Sequence, residues 1–136
     1  MAKRKQGITK AERDHMGRAK AGVCIACLVR AAAGLLPPQW VQVGHEGTAG
    51  IYVGLLQYHH TKSGNLRRGH HHGFALCLWH HAGNQAQPQE GYTHRTLRDR
   101  YGVSLNDGSA LFRDTYGTDD ELIAIQAAYL NGELHP

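Results

Sequence analysis

The residues of this chain that could do chemistry are cysteines and histidines in short-spaced pairs. Cys24 and Cys27 have two residues between them, and Cys77 and His80 repeat that spacing far downstream. Structural zinc is held tetrahedrally by four sulfur or imidazole ligands, and two such pairs supply them with little strain. The alternative is three free, buried cysteines. Because the zinc interpretation uses every cysteine of the chain, we predict one structural zinc bound by these four residues.

A second histidine-rich site is suggested by His81, which directly follows His80. Adjacent residues of a helix differ by about 100° around its axis. If His80 faces the zinc, His81 must therefore face another neighbour. The doublet His59-His60 in "YHH" is the natural partner, and the triplet "GHHHG" at 69–73 lies between the two doublets.

The N-terminal half has to position these pairs. Thr9 and Glu12 form a capping box that predicts the start of a helix, and Gly22 is placed to end it. The Cys-x2-Cys pair is expected in a tight turn. Residues 40–54 alternate around glycines and predict a β-hairpin, whose second strand runs on toward His60.

The second half begins with a polar loop at 62–73. The stretch "FALCLWHHAGNQ" is expected to start extended and to turn helical at about Leu78. Segments 94–102 and 110–117 match each other at several positions, which indicates either a duplicated helix or chance. Thr118 and Glu121 form a second capping box, which predicts a closing amphipathic helix.

Length and composition agree with one metal-stabilised domain. A chain of 136 residues buries about two thirds of its unfolded surface. With 17 glycines and 2 phenylalanines the core is thin, so a metal would add stability. The net charge of +4 is compatible with a phosphate partner. No apolar run approaches a membrane span and the N-terminus lacks the apolar centre of a secretion signal, so we expect a reducing cytoplasm. In that compartment Cys24-x2-Cys27 indicates metal or redox chemistry rather than a disulfide.

Taken together, these motifs resemble the HNH, or ββα-metal, nucleases. "QYHH" (57–60) corresponds to their first strand, and "ALCLWHH" (75–81) corresponds to their second strand and helix start, with His80 in place of a fourth cysteine. More narrowly, the chain resembles the phage recombination enhancement function (Ref) proteins, which are RecA-dependent HNH-type nucleases. "GYTH" (91–94) and "YGTDDEL" (116–122) extend this resemblance over about residues 9–130.

The resemblance implies a small α+β fold. Its ββα-metal core is stabilised by zinc and carries a β-hairpin and flanking helices. The resemblance also implies a single nuclease domain at 9–136 and a location in the cytoplasm of a bacterial host, while the residues at 1–8 by themselves predict a basic disordered arm. Carried over by position, the catalytic residues are His60 as general base and His72, which orients His60 or the scissile phosphate. The ligands of a catalytic Mg²⁺, Mn²⁺ or Zn²⁺ are His59, His81 and His94.

The function expected from this resemblance is DNA cleavage in phage or bacterial recombination, together with a RecA-type filament. Arg67 and Arg68 are then expected to contact DNA phosphates without reading sequence. The alternative is a zinc-stabilised nucleic-acid-binding module without catalysis. His60 separates the two, since only a nuclease needs a general base beside a second metal. A metal-responsive regulator is disfavoured, because no dimerisation or recognition helix stands out.

Overall fold

The computed structural model describes residues 8–35, 56–63, 66–67, 72–83 and 93–134. The helices are α1 Lys10–Lys20, α2 Ile25–Ala32, α3 Leu78–Ala82, α4 His94–Tyr101, α5 Ser109–Tyr116 and α6 Asp119–Leu130. The strands are β1 Gln57–His60, β2 Lys62–Ser63, β3 Leu66–Arg67 and β4 Gly73–Leu76, and a 3₁₀ turn spans Leu105–Asp107. This confirms the α+β class. Among the described residues, no helix is long and apolar enough to cross a membrane.

The centre of the fold is an antiparallel pair of strands that leads into a helix. β1 pairs with β4 in a register that sets Gln57 opposite Leu76 and His60 opposite Gly73. All of β4 is buried, and the chain turns at Cys77 into α3, which starts at Leu78 as predicted. This is the ββα order expected from the sequence. The predicted polar loop at 62–73 differs, because it contains the short antiparallel pair β2 and β3.

Gly73 is required by the close packing of β1 on β4. A Cβ atom at this position would lie 2.4 Å from the carbonyl oxygen of His59 and 2.5 Å from the ring of Tyr58. Since neither the paired backbone nor the packed ring can move away easily, a larger residue would separate the two strands. The glycine thereby keeps β1 close enough to β4 for its side chains to reach α3.

Capping boxes define the ends of the fold. Thr9 Oγ1 accepts the backbone N–H of Glu12 at 3.1 Å, and the Glu12 carboxylate accepts the N–H of Thr9 at 2.9 Å. Thr118 and Glu121 make the same two hydrogen bonds at the start of α6. Both predicted boxes are therefore confirmed, since each satisfies N–H groups that a helix start leaves without partners.

The outer edge of β4 is covered by a side chain of α6. The amide oxygen of the buried Gln126 accepts the N–H of Ala75 at 2.9 Å, and its nitrogen donates to the carbonyl of Gly73 at 3.0 Å. One amide thus makes the two hydrogen bonds that a third strand would make. It fixes the closing helix against the sheet and leaves those two backbone groups satisfied.

Aromatic side chains form part of the remaining core. Trp79 is fully buried, and its indole N–H donates to the carbonyl of Gly102 at 2.9 Å. The Tyr116 hydroxyl donates to the carbonyl of Val103 at 2.7 Å. The two repeat segments form α4 and α5, as the helical interpretation predicted. Tyr101 at the end of α4 and Tyr116 at the end of α5 both contact His80, one of the predicted zinc ligands.

Three predictions fall on residues outside the described ranges. They concern the β-hairpin at 40–54, residues 1–7 of the basic arm, and the part of the polar loop that holds Arg68. The predicted turn around the Cys-x2-Cys pair was wrong in part. Cys24 does end an extended segment, but it is the N-cap of α2, so Cys27 lies in the first turn of a helix.

Candidate metal centres

Both short-spaced pairs sit at the start of a helix. Cys24 is the N-cap of α2 and Cys77 is the N-cap of α3. Each sulfur accepts the backbone N–H three residues on, from Cys27 and from His80, at 3.5 Å in both cases. The spacing of two intervening residues thus brings the second ligand of each pair back to the capping sulfur. Burial raises the pKa of Cys77. At Cys24 burial is outweighed by hydrogen bonds with the side chains of Cys27 and Cys77, which lower the pKa and favour the thiolate form that binds metals.

The two helix starts bring the four predicted zinc ligands together. Their ligand atoms all lie within 4.8 Å of one another. His80 Nδ1 lies 3.4, 3.3 and 3.1 Å from the sulfurs of Cys24, Cys27 and Cys77. The sulfurs of Cys27 and Cys77 are 4.0 Å apart. A tetrahedral zinc at ordinary bond lengths separates such atoms by roughly 3.5–3.8 Å. The donor set and its dimensions therefore fit a metal ion such as zinc.

The environment of His80 prepares it as a ligand. Its Nε2–H donates to the carbonyl of Tyr101 at 2.7 Å, so Nδ1 is the nitrogen that faces the sulfurs and that can bind a metal ion once its proton is lost. Burial lowers the pKa of His80, but negative charge on Cys77 and Cys24 outweighs that effect and raises this pKa to about 10. Burial and the neighbouring sulfurs also raise the pKa of Cys27. A metal ion entering the cluster must therefore displace protons.

His81 points away from this cluster, toward β1. Its Nδ1 is 2.5 Å from the side-chain oxygen of Gln57, and its ring centroid is 5.5 Å from that of His59. Gln57 and His59 are two residues apart on a strand, so they share one face. Burial is the main cause that lowers the pKa of His81. A neutral imidazole beside a second imidazole is a suitable start for a metal site.

The His59–His81 pair has dimensions that suit a shared ion. Two imidazoles bound to one zinc at ordinary Zn–N distances have ring centroids roughly 4.5–5.5 Å apart, and here the separation is 5.5 Å. Among the described residues, the cysteine cluster is the one group of three or more possible metal ligands. The described residues therefore supply two ligands, His59 and His81, for the second ion.

The other face of β1 carries His60. Its ring centroid lies 5.1 Å from that of Tyr58, which in turn lies 6.0 Å from that of His15 in α1. Regular pairing continues through the last pair, His60 with Gly73, so His59 and His60 face opposite sides of the strand. The structure thus places the predicted base beside Tyr58, while its neighbour His59 faces α3.

His72 is exposed and lies directly before β4. Its carbonyl accepts the backbone N–H of Thr61 at 2.9 Å and the Thr61 hydroxyl at 2.5 Å. These bonds join the backbone just after His60 to the backbone just before Gly73. The backbone of His72, the predicted orienting residue, is therefore hydrogen-bonded to the residue that follows β1.

His94, the predicted third ligand, is engaged elsewhere. Its Nε2 lies 2.7 Å from a carboxylate oxygen of Asp107, and its ring centroid is 4.9 Å from that of Trp79. Burial raises the pKa of Asp107, but hydrogen bonds from the Ser104 N–H and from His94 outweigh this and lower it. Trp79 and His81 are two residues apart on α3, about 200° around its axis. The structure thus joins His94 to Asp107 and not to the His59–His81 pair.

Sequence reasoning missed the groups that orient these histidines. Gln57 has a detectable signal, since it lies two residues before His59 and must share its face of a strand. The Tyr101 carbonyl is a backbone group and leaves no signal in the residue type. Of the two predicted DNA contacts, Arg67 lies in β3, and Arg68 lies outside the described residues.

One family of known proteins matches almost the whole chain. The family described as "Recombination enhancement, RecA-dependent nuclease" matches residues 8–131, which include both candidate metal centres. No curated protein matches the chain.

Proposed function

The chain belongs to the family of recombination enhancement, RecA-dependent nucleases, and on that premise we propose that it is a metal-dependent HNH-type DNA endonuclease. The observation that carries the HNH assignment is the His59–His81 pair, with ring centroids 5.5 Å apart where β1 meets α3. It adjoins a separate cluster of three cysteines and one histidine that fits zinc. A reactive metal beside a stabilising one on a ββα unit is the arrangement that the resemblance to HNH nucleases implies.

The proposed division of labour follows from the two faces of α3. His80 serves the structural zinc, and His81 with His59 would hold the catalytic ion, which is Mg²⁺, Mn²⁺ or Zn²⁺. When bound, that ion supplies a positive charge that stabilises the negative charge of the phosphodiester in the transition state. Gln57 holds the ring of His81 by the hydrogen bond between them. His94 is proposed as a further ligand, and it would have to leave Asp107 to reach the ion.

His60 is the proposed general base. It is the last residue of β1, next in the chain to His59. A neutral imidazole there would take a proton from the water molecule that attacks phosphorus, and the bond from phosphorus to the leaving 3′ oxygen would break. His72, whose carbonyl anchors the residue after His60, is proposed to orient His60 or the scissile phosphate.

DNA and a RecA-type filament are the proposed partners. Arg67 and Arg68 would contact DNA phosphates. The exposed cations of α1 would add sequence-independent attraction to the backbone; they are Lys10, Arg13, Arg18 and Lys20. We place this activity in phage or bacterial recombination within the cytoplasm of a bacterial host, as the dependence of the family on RecA suggests.

A second candidate is a zinc-stabilised nucleic-acid-binding module without catalysis. The observation in its favour is the placement of His60, which packs against Tyr58 on the opposite face of β1 from His59. A packing role would explain that position without any chemistry. In this case the zinc cluster and the basic surface remain, while phosphodiester cleavage does not occur.

The deciding experiment compares three histidine variants in a nicking assay. Plasmid and displaced-loop DNA are incubated in Mg²⁺ or Mn²⁺, with and without a RecA-type filament. His60→Ala should lose about 10²–10⁴-fold in cleavage rate and keep its fold, metals and DNA affinity. His81→Ala should lose the second ion and keep the structural zinc. His15→Ala, which alters the other ring beside Tyr58, is the matched control and should cleave like the parent.

A parent protein that cleaves nothing under any of these conditions would favour the binding module instead. A His60→Ala variant that cleaves as fast as His15→Ala would show that His60 is not the general base, since the ring beside Tyr58 would then serve packing alone.

A further inference from the structure

The side chain of Gln57 sets the orientation of His81. Gln57 is the first residue of β1, and its register partner is Leu76, the last residue of β4. Cys77 follows directly and starts α3, which carries His81 one helical turn further on. Gln57 and His81 are therefore held at a short distance by the strand ladder and by the metal-binding helix start. Their hydrogen bond of 2.5 Å follows from this rigid frame.

The chemistry of this hydrogen bond selects one tautomer of His81. The side-chain oxygen of Gln57 is an acceptor, so Nδ1 of His81 must carry the proton. Nε2 then keeps its lone pair, and the ring cannot rotate without breaking the bond. A metal-binding histidine commonly has its second nitrogen held in this way, which fixes the ring and raises its basicity. The carbonyl of Tyr101 does the same for His80 at 2.7 Å.

We infer that Gln57 is a positioning residue for the second metal ion, which it never touches. This inference rests on the proposed function, because it takes the His59–His81 pair as the site of that ion. Gln57 lies on the same face of β1 as His59 and is exposed, whereas His81 is half-buried. Its amide is neutral, so it orients His81 without reducing the positive charge that the ion presents to a phosphate.

The test measures ion affinity on the full chain with its structural zinc in place. Co²⁺ is titrated into the parent and into three variants, which are Gln57→Leu, Gln57→Glu and Asn106→Leu. Binding is measured by calorimetry and by the visible absorption of the bound Co²⁺. Asn106 is an exposed amide near the C-terminal end of α3, where its side chain approaches Gly83. Asn106→Leu is therefore the matched control for replacing an exposed amide by leucine.

Gln57→Leu should weaken binding of the second ion about 10–100-fold, the usual effect of losing such a partner. Gln57→Glu should restore at least the parent affinity, because a carboxylate also accepts the Nδ1–H. Asn106→Leu should bind like the parent. Zinc content and melting temperature should be the same in all four proteins, which separates positioning from loss of fold.

Other results would contradict either the positioning role of Gln57 or the second ion site itself. If the parent binds two ions and Gln57→Leu binds the second as tightly, Gln57 has no positioning role and the proposed ion site stands. A Gln57→Glu variant as weak as Gln57→Leu has the same meaning. If the parent takes up only the structural ion, the proposed site and this inference both fail.

Discussion

Removal of one zinc ligand should cost this domain much of its stability. In Cys24→Ala the four-ligand cluster loses a sulfur that is 1% exposed and that joins α2 to α3 through His80. Structural zinc contributes about 10–16 kcal/mol of apparent binding energy in small zinc peptides, so losing one of four ligands should cost several kcal/mol. The N–H of Cys27 also loses its capping acceptor, which adds about 1 kcal/mol. A domain of this kind is stable by only about 5–15 kcal/mol.

The assay is thermal unfolding with and without a chelator, together with zinc content per chain. A loss of at least about 4 kcal/mol should lower the melting temperature by roughly 12–20 °C. The control is Val23→Ala, next to Cys24 and 2% exposed. It removes two buried methyl groups, costs about 2 kcal/mol and should retain its zinc. A Cys24→Ala protein with the zinc content and melting temperature of the parent would refute the four-ligand site.

Two further predictions concern DNA binding and the strand pair. Replacing Arg67 and Arg68 with alanine should weaken DNA binding similarly for all sequences and flatten its salt dependence, because phosphate contacts release counterions; an unchanged salt slope would show that they do not touch DNA. Gly73→Ala should lower the free energy of unfolding by about 1–3 kcal/mol or more in urea denaturation, since its Cβ would lie 2.4 Å from the His59 carbonyl oxygen. The matched control is Gly17→Ala in the interior of α1, where an added Cβ would have no neighbour within 4 Å. It should instead stabilise the fold by about 0.5–1 kcal/mol. Equal effects of the two glycine substitutions would contradict the close packing of β1 on β4.

Local rules accounted for the helix starts. The capping boxes at Thr9 and Thr118, and the start of α3 at Leu78, depend on residues within one helical turn of each other. Such signals can be read from sequence because the interacting groups are near in the chain. The short strands β2 and β3 were missed although their partners are also near in the chain. Their pairing joins residues of a polar stretch with no alternating pattern to reveal it.

The sequence by itself determined the four candidate zinc ligands, which the structure brings together. Two pairs with the same short spacing leave few other uses for three cysteines, and the helix-cap geometry of each pair is local. The rotation of about 100° between adjacent residues of a helix is equally local. It is enough to make His80 and His81 face different neighbours. These inferences needed residue types and spacing alone, since zinc chemistry restricts both strongly.

Only the tertiary structure decided which side chains meet at the second site. The register of β1 on β4 turns His59 toward α3 and His60 toward Tyr58, and a shift by one residue would exchange them. The packing of α4 joins His94 to Asp107, and the spacing of these residues in the sequence does not predict this contact. Gln57 reaches His81 only because strand pairing closes a long loop in the chain. Contacts of this kind depend on register and helix packing, which the residues between them do not encode locally.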